Sequence, residues 1–381
     1  MAYGVRPWDR TWYRTCRRAW DLGSHSRRSL EPADPPFSID LDRALRDALA
    51  VYYFPGMWEW NRSVVLPLTH QALERAMAKQ RDAHPDLSDD ENAQFEAELE
   101  AGRAVLSHYL EWAPAVDRFW PVRVETDFDV QVPDWRSPGE DLVVPGGREP
   151  IRYQGRVDLL VVDEHDAYWV VRHRLAPEGF SDPELLLLDD ELVAAAWAWE
   201  IFYLGMRVAG TIHNEVRPGA TPPDPADPVR RPRASHAFAR ARAAARSEGR
   251  GTSEGEDDTG PGKPESAAPV AGHRRMYVKA EHTPTDVVVE EGGGMFRRTR
   301  IPRSETELAN LGRHLGEEAL EMSGHLVAYP TPGRHCTECD YRRPCLALQE
   351  GRDVEPILAG GYRRRPDEVP EEGRLGAVTW S

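Results

Sequence analysis

Four cysteines are the residues whose type and spacing most directly indicate chemistry in this 381-residue sequence. Three of them form a Cys336-x2-Cys339-x5-Cys345 pattern, and Cys16 is the fourth. The short spacing lets two thiolates bind one metal centre, and the longer arm brings in the third. A soft metal centre needs a fourth ligand, which Cys16 can supply. Zinc and a [4Fe–4S] cluster both satisfy this donor set, and unrelated buried thiols are the alternative.

A second group of polar residues lies on two neighbouring apolar segments. Asp158 ends the tetrapeptide 155–158 (GRVD), and the tripeptide 172–174 (RHR) follows a polar turn and another apolar run. Alternate residues of a strand share a face, so Arg172 and Arg174 are expected on the same side. An aspartate near these guanidinium groups is expected to form an ion pair with Arg172.

The segments that position these residues alternate between helix and strand. Apolar residues recur with helical spacing at 39–53, and alternation of period two predicts a strand at 122–132. The same patterns predict helices at 71–79, 91–112 and 183–204, strands at 151–162, 168–174, 208–216, 276–280 and 287–290, and a helix that opens with the capping-box pattern 304–307 and runs through Met322. This order of elements predicts the α/β class.

Taken together, these features resemble the RecB- and AddB-type nucleases of the PD-(D/E)XK superfamily, including CRISPR-associated RecB-like exonucleases. The lone cysteine in the arginine- and aromatic-rich segment 11–20, and the distant cluster at 329–345, are similar to the iron–sulfur staple of those nucleases. The resemblance implies a restriction-endonuclease-like core, with a central mixed sheet flanked by helices. It also implies a structural [4Fe–4S] cluster that joins the N- and C-terminal segments, with zinc as the alternative. Its ligands would be Cys16, Cys336, Cys339 and Cys345.

The positions that carry catalysis in this superfamily are altered here. By the resemblance, Asp158 is the metal-binding aspartate of the G-x-x-D strand, and positions 172 and 174 belong to the (D/E)-x-K motif. The carboxylates of these motifs hold Mg²⁺, which polarises the phosphate and activates a water. Arg172 cannot bind Mg²⁺, and Arg174 keeps the charge of the lysine but cannot lose its proton. Asp158 alone is expected to hold Mg²⁺ only weakly.

Three further positions depart from the family pattern. Arg46 stands where a metal-binding histidine is expected, and Glu191 and Ala195 stand where a Q-x3-Y pair is expected near DNA. Asp158, Arg172, Arg174, Arg46 and Glu191 are therefore predicted to form a degenerate site. The alternative is that catalytic carboxylates have migrated within the fold. The candidates lie in the turn after the Asp158 strand and in the first helix, where a solvated turn or helix face is the simpler interpretation: Asp163, Glu164, Asp166, Asp40, Asp42 and Asp47.

Composition limits the partners and the location. The formal net charge of −16 weighs against non-specific nucleic-acid binding by the whole surface, although a local basic groove is compatible with it. Residues 1–28 lack the apolar run of a signal peptide, and no stretch approaches the length of a membrane span, so a cytoplasmic protein without membrane contact is expected. The expected organisation is an N-terminal segment (1–30), a nuclease-like core (37–217), a disordered insertion (218–275), a C-terminal part with the cysteines (276–350) and a tail (351–381).

Three functions follow as hypotheses. The first is a DNA-associated nuclease-fold protein with impaired or lost cleavage, either by direct contact or through a protein partner that handles DNA. Two groups of arginines could extend a basic track, with ordinary surface charge as the simpler interpretation: Arg14, Arg17 and Arg18, and Arg297, Arg298 and Arg300. The second is an active Mg²⁺-dependent exonuclease with a rearranged site. The third is a non-catalytic platform for protein interactions, which the acidic composition favours.

Overall fold

A computed structural model of the protein describes residues 2–203, 206–231, 286–324 and 326–365. The strands are Tyr3–Val5 (β1), Leu30–Pro32 (β2), Phe119–Gln131 (β3), Ile151–Asp163 (β4), Tyr168–Leu175 (β5), Val208–Val216 (β6), Val288–Gly292 (β7), Phe296–Pro302 (β8) and Tyr362–Arg364 (β9). The α-helices are Pro7–Thr15 (α1), Arg17–Gly23 (α2), Leu41–Tyr52 (α3), Arg62–Asp82 (α4), Asp89–Val116 (α5), Pro183–Leu186 (α6), Asp190–Phe202 (α7), Glu305–Ser323 (α8), Arg342–Gln349 (α9) and Glu355–Gly361 (α10).

Seven of these strands form a mixed sheet whose main path runs β1-β4-β5-β6-β8-β7. Strand β3 pairs with β4 along almost the whole length of β4. The opposite edge of β4 is shared, because its first residues pair with β1 in parallel and its last residues pair with β5 in antiparallel orientation. Asp158 lies on β4 in the gap between these two partners. This gap in the sheet is where the candidate site forms.

Helices cover both faces of the sheet, each over its own apolar core. One core joins α3, α4 and α5 to the sheet, with Leu45, Tyr109 and Trp169 among its buried residues. The other joins α7 and α8 to the opposite face, around Trp197 and Leu315. The predicted α/β class and the central mixed sheet flanked by helices are therefore confirmed.

The two ends of the described chain meet beside the sheet. Strands β2 and β9 form a separate antiparallel pair. A small apolar cluster lies next to them and contains Cys16, Tyr341, Val354 and Leu358. The predicted tail thus begins with α10 and β9, which contact the N-terminal segment, and residues 366–381 lie outside the described chain.

Several predicted elements have different bounds. The segment 183–204 was predicted as one helix, but it divides into α6 and α7 because Asp189 caps the second helix by accepting hydrogen bonds from the backbone N–H groups of Glu191 and Leu192. The predicted helices 71–79 and 91–112 are the central parts of α4 and α5. None of the described helices is long and apolar enough to cross a membrane.

The predicted disordered insertion begins within the described chain. Residues 218–231 are described, and Arg230 exchanges two backbone hydrogen bonds with Glu291 of β7, at 2.8 and 2.7 Å. The rest of the predicted insertion lies outside the described residues. So does the predicted strand 276–280.

Candidate functional site

Asp158 is the centre of the candidate site and lies in the gap of the sheet, where 12% of its side-chain surface is exposed. Its Oδ2 accepts a hydrogen bond from the backbone N–H of His173 at 2.9 Å, which fixes the carboxylate against β5. Nη1 of Arg46, from α3, lies 4.0 Å from Oδ1 of Asp158. Burial raises the pKa of Asp158, whereas Arg46, the His173 N–H and the nearby Arg172 oppose that rise. The position expected for a metal ion is therefore bordered by fixed cations.

Arg172 forms its ion pair with Glu191 rather than with Asp158. Its Nη1 lies 2.9 Å from Oε2 of Glu191, the residue near the start of α7. The predicted Asp158–Arg172 pair is thus wrong, because α7 delivers a carboxylate closer to the guanidinium than the strand neighbour does. Burial opposes the charge of Arg172, but Glu191 outweighs it and raises the pKa of the guanidinium. Ala195, one turn further along α7, is buried in the core.

Arg174 lies on the same face of β5 and is anchored in the same way. Its Nη2 donates to Ser181 Oγ and lies 3.3 Å from Oε1 of Glu215, a fully buried carboxylate on the neighbouring strand β6. Oε1 of Glu215 also accepts a hydrogen bond from the backbone N–H of Ser181 at 3.0 Å. The five predicted degenerate positions therefore meet in one region. Each of their arginines has a carboxylate partner within the chain.

Glu125 is a residue of this region that sequence reasoning did not single out. The alternation of period two at 122–132 places it on the polar face of β3, but its backbone has a positive φ of 41°, which a residue with a side chain seldom adopts. Burial, together with the nearby charge of Asp158, raises the pKa of Glu125 to about 7 against the opposing charges of Arg156 and Arg46. The positive φ interrupts the alternation of β3, and a period-two pattern gives no signal of such a change.

The other proposed carboxylates have mainly structural roles. Asp163 is buried in the turn after β4, where it accepts hydrogen bonds from the N–H groups of His165 and Ala167 and from Nε1 of Trp169, at 2.9 to 3.0 Å. Asp40 caps α3 by accepting from the N–H of Arg43 at 2.8 Å. Asp42 accepts from the N–H of Leu175 at 2.6 Å and lies 3.2 Å from Nε of Arg46.

A buried polar network lies behind the site, on the face of the sheet that α3, α4 and α5 cover. The ring of His173 points away from Arg172 and stacks on Tyr53, with centroids 5.6 Å apart. The hydroxyl of Tyr53 contacts Asp117 at 3.1 Å, and Asp117 pairs with Arg298. Burial and the cations Arg298 and Arg46 lower the pKa of His173 to about 3, so its ring is neutral near pH 7. The neutral ring fits beside the cationic Arg298.

The arginines considered for a basic track instead hold the protein together. Arg298 is fully buried, and the tyrosine hydroxyls and Asp117 surround its guanidinium. Arg297 pairs with Glu291 at 2.6 Å, and Arg300 lies 3.8 Å from Asp163. The N-terminal arginines are also engaged: Arg14 pairs with Asp190 and Glu318, Arg17 lies 3.6 Å from Glu321, and Arg18 donates to backbone carbonyls. Each of these six arginines therefore has partners within the described chain, and the basic track stays a hypothesis.

The cysteines lie where the two chain ends meet. All four are free thiols, and Cys16 is buried in the apolar cluster against which Cys339 packs. Burial raises the pKa of the Cys339 thiol, and negative charge on the neighbouring Cys16 and Cys336 raises it further. Cys345 contacts Arg18, which follows Cys16 by two residues. The structure therefore brings the cysteines of the two ends into one region.

This donor set fits a thiolate-bound metal cluster in its chemistry. In the described ranges, no three His, Cys, Asp or Glu side chains are arranged to hold one metal ion. A [4Fe–4S] cluster binds each thiolate at a separate iron, so its cysteine sulfurs need not converge on one point as they do around zinc. A bound cluster would also supply positive charge beside the Cys339 thiol, whose pKa is raised by burial and by the neighbouring cysteines.

The sequence matches no protein-family model, and no curated protein matches it significantly. The fold places the protein in the α/β class, with a central mixed sheet and helices on both faces. A finer assignment depends on the residues of the two regions described above.

Proposed function

We propose that this protein is a RecB-type PD-(D/E)XK nuclease relative that has lost phosphodiester cleavage, carries a structural [4Fe–4S] cluster and associates with nucleic acid. The observation that carries the proposal is the charge around Asp158. Arg46 lies 4.0 Å from this carboxylate, and Arg172 occupies the position where a second metal ligand is expected. Two guanidinium groups cannot ligate Mg²⁺, and their charges oppose the entry of a divalent cation.

The ion pairs of Arg172 and Arg174 support a site that is stable without a metal and does not catalyse cleavage. Arg172 and Glu191 are both departures from the family pattern, and they form an ion pair of 2.9 Å with each other. Arg174 is held by the buried Glu215. Each new cation thus has a carboxylate partner that compensates its charge without a metal, and Glu215, the buried carboxylate of the four side chains, is itself compensated by Arg174.

The cluster part of the proposal rests on the cysteines. Cys16 comes from the junction of α1 and α2, whereas Cys336, Cys339 and Cys345 come from the segment just before and within α9. When bound, a [4Fe–4S] cluster would be held by one thiolate from the N-terminal segment and three from the C-terminal segment. Its role would be to hold the chain ends together beside the sheet.

Nucleic-acid association would use the partly exposed guanidinium groups of the site. Arg172 and Arg174 share a face of β5 and keep about a third of their side-chain surface exposed, at 31% and 38%. An arginine has five N–H donors in a planar fork, so one engaged with a carboxylate can still donate to a phosphate. The same carboxylate pairing favours a second candidate, a protein-interaction platform, because compensated arginines attract phosphate only weakly.

Binding of fluorescent single- and double-stranded DNA in EDTA, measured by anisotropy at several salt concentrations, separates these two functions. We expect affinity to fall with salt. We expect the double variant R172A/R174A to bind more weakly, with the salt slope reduced by about one to two, since each phosphate contact contributes about one. R81A/R103A is the matched control, because it removes two exposed, ion-paired arginines from α4 and α5.

The control is expected to bind as the wild type does. If both double variants lost the same DNA affinity, the binding would depend on the overall charge of the protein and not on the candidate site. No salt-dependent binding by the wild-type protein would contradict nucleic-acid association and leave the interaction platform as the function.

A further inference from the structure

Arg18 differs from its neighbouring arginines in what its side chain contacts. Nη1 of Arg18 donates to the carbonyl oxygen of Cys345 at 3.2 Å and lies 3.7 Å from its Sγ. Nε of Arg18 donates to the carbonyl oxygen of Ala328 at 3.3 Å. The backbone N–H of Arg18 donates to the carbonyl oxygen of Tyr329 at 3.2 Å. A residue of the N-terminal segment therefore holds three points of the C-terminal segment, one of which is a cysteine.

The charge of Arg18 is directed at that cysteine. Arg14 and Arg17, on the same segment, direct their guanidinium groups to the carboxylates of Glu318 and Glu321. The acceptors that the structure gives the Arg18 side chain are two carbonyl oxygens and a sulfur. A cationic N–H donor beside a thiolate forms a charge-assisted hydrogen bond, which is stronger than a bond between neutral partners.

We propose that Arg18 is a positioning residue for the iron–sulfur cluster. It orients Cys345 through its contacts with the carbonyl oxygen and the sulfur of that residue, and it raises the reduction potential of the cluster. The inference rests on the cluster of the proposed function. Hydrogen bonds to ligand sulfurs set the potential of such clusters, because the reduced state carries one more negative charge and gains more from a nearby cation. The two carbonyl contacts fix the guanidinium, so that its direction toward the sulfur is maintained.

The test compares R18M with R17M in the full-length protein purified without oxygen. Methionine keeps most of the apolar stem of arginine but removes the charge and the donors, and Arg17 provides the matched control because it lies beside Arg18 and contacts Glu321 instead of sulfur. The readouts are the midpoint potential, from a redox titration followed by electron paramagnetic resonance, and the rate at which an iron chelator removes iron.

In R18M we expect a lower midpoint potential. At a fixed applied potential the ratio of reduced to oxidised cluster should fall about tenfold, which corresponds to a decrease of about 59 mV in the midpoint potential of a one-electron couple. Iron release should accelerate by about tenfold or more, since residues that orient metal ligands commonly contribute that much to affinity. R17M should keep the wild-type potential and rate. R18Q, which is neutral but retains an amide donor for the carbonyls, provides the same comparison if R18M does not fold, and its potential should fall as well.

The outcomes distinguish this inference from the proposal on which it rests. A wild-type protein that contains zinc, or no iron and sulfide, overturns both. A wild-type protein with a [4Fe–4S] spectrum, together with unchanged potential and iron release in the folded Arg18 variants, overturns the role of Arg18 alone.

Discussion

Replacement of Asp117 by alanine is expected to lower the free energy of unfolding by about 3 to 5 kcal/mol, because it leaves the charge of Arg298 buried without its partner. Both side chains are only 2% exposed, so water cannot take over the role of the carboxylate. Tyr53 would also lose Asp117 as an acceptor for its hydroxyl. Burial opposes the charge of Arg298, but Asp117 keeps the pKa of the guanidinium well above its ordinary value. Because arginine stays protonated in proteins, the cation would keep its charge in the variant even without Asp117.

Urea unfolding followed by tryptophan fluorescence measures this loss. E74A is the control, because it breaks the exposed pair between Glu74 and Arg103 and should cost less than about 1 kcal/mol. The double variant D117L/R298M should be more stable than D117A, since it removes both charges. A loss in D117A no larger than that in E74A would contradict the importance of the buried network beneath the candidate site.

Replacement of Cys16 by alanine is expected to abolish the cluster and to separate the two chain ends. Cys16 is the proposed ligand that comes from the N-terminal segment, and its loss leaves three thiolates from the C-terminal segment. Iron and acid-labile sulfide should fall to background, and the lost crosslink should cost about 2 to 5 kcal/mol, by analogy with a disulfide. Elemental analysis and thermal unfolding measure the two effects.

Cys16 is itself buried, so the alanine variant also loses some packing. Wild-type protein stripped of metal separates the two contributions, because without a cluster its stability should differ from that of C16A only by the packing term. If C16A retained the iron and sulfide of the wild type, Cys16 could not be a ligand, and the proposed staple would be wrong.

The amino-acid sequence indicated which residues occupy the site but not how their charges are paired. Asp158, Arg46 and Arg172 could be assigned to it because motif spacing places each on a defined strand or helix. The partner of Arg172 is Glu191. Asp189 caps α7 and so fixes where the helix begins, which places Glu191 in its first turn. That choice depends on how α7 packs over the sheet, and local patterns carry no information about it.

The burial of Arg298 is a second feature that local sequence patterns could not predict. Arginine is normally found at the surface, and the segment that forms β8, which was not among the predicted strands, contains three arginines. Arg298 is buried because four groups from distant segments surround it, namely Tyr53, Tyr109, Asp117 and Asn214. Such an environment is created only by tertiary structure, so the local sequence around Arg298 gives no signal of its burial.

The loss of cleavage is the central claim, and a nuclease assay tests it most directly. Purified protein would be incubated with end-labelled single- and double-stranded DNA and RNA in Mg²⁺ or Mn²⁺, with D158A and E125Q prepared alongside. We predict that the wild-type protein and both variants leave every substrate intact, because Arg46 and Arg172 border the carboxylate that would hold the metal. Metal-dependent cleavage by the wild-type protein that is lost in D158A or E125Q would contradict the account and establish a rearranged active site.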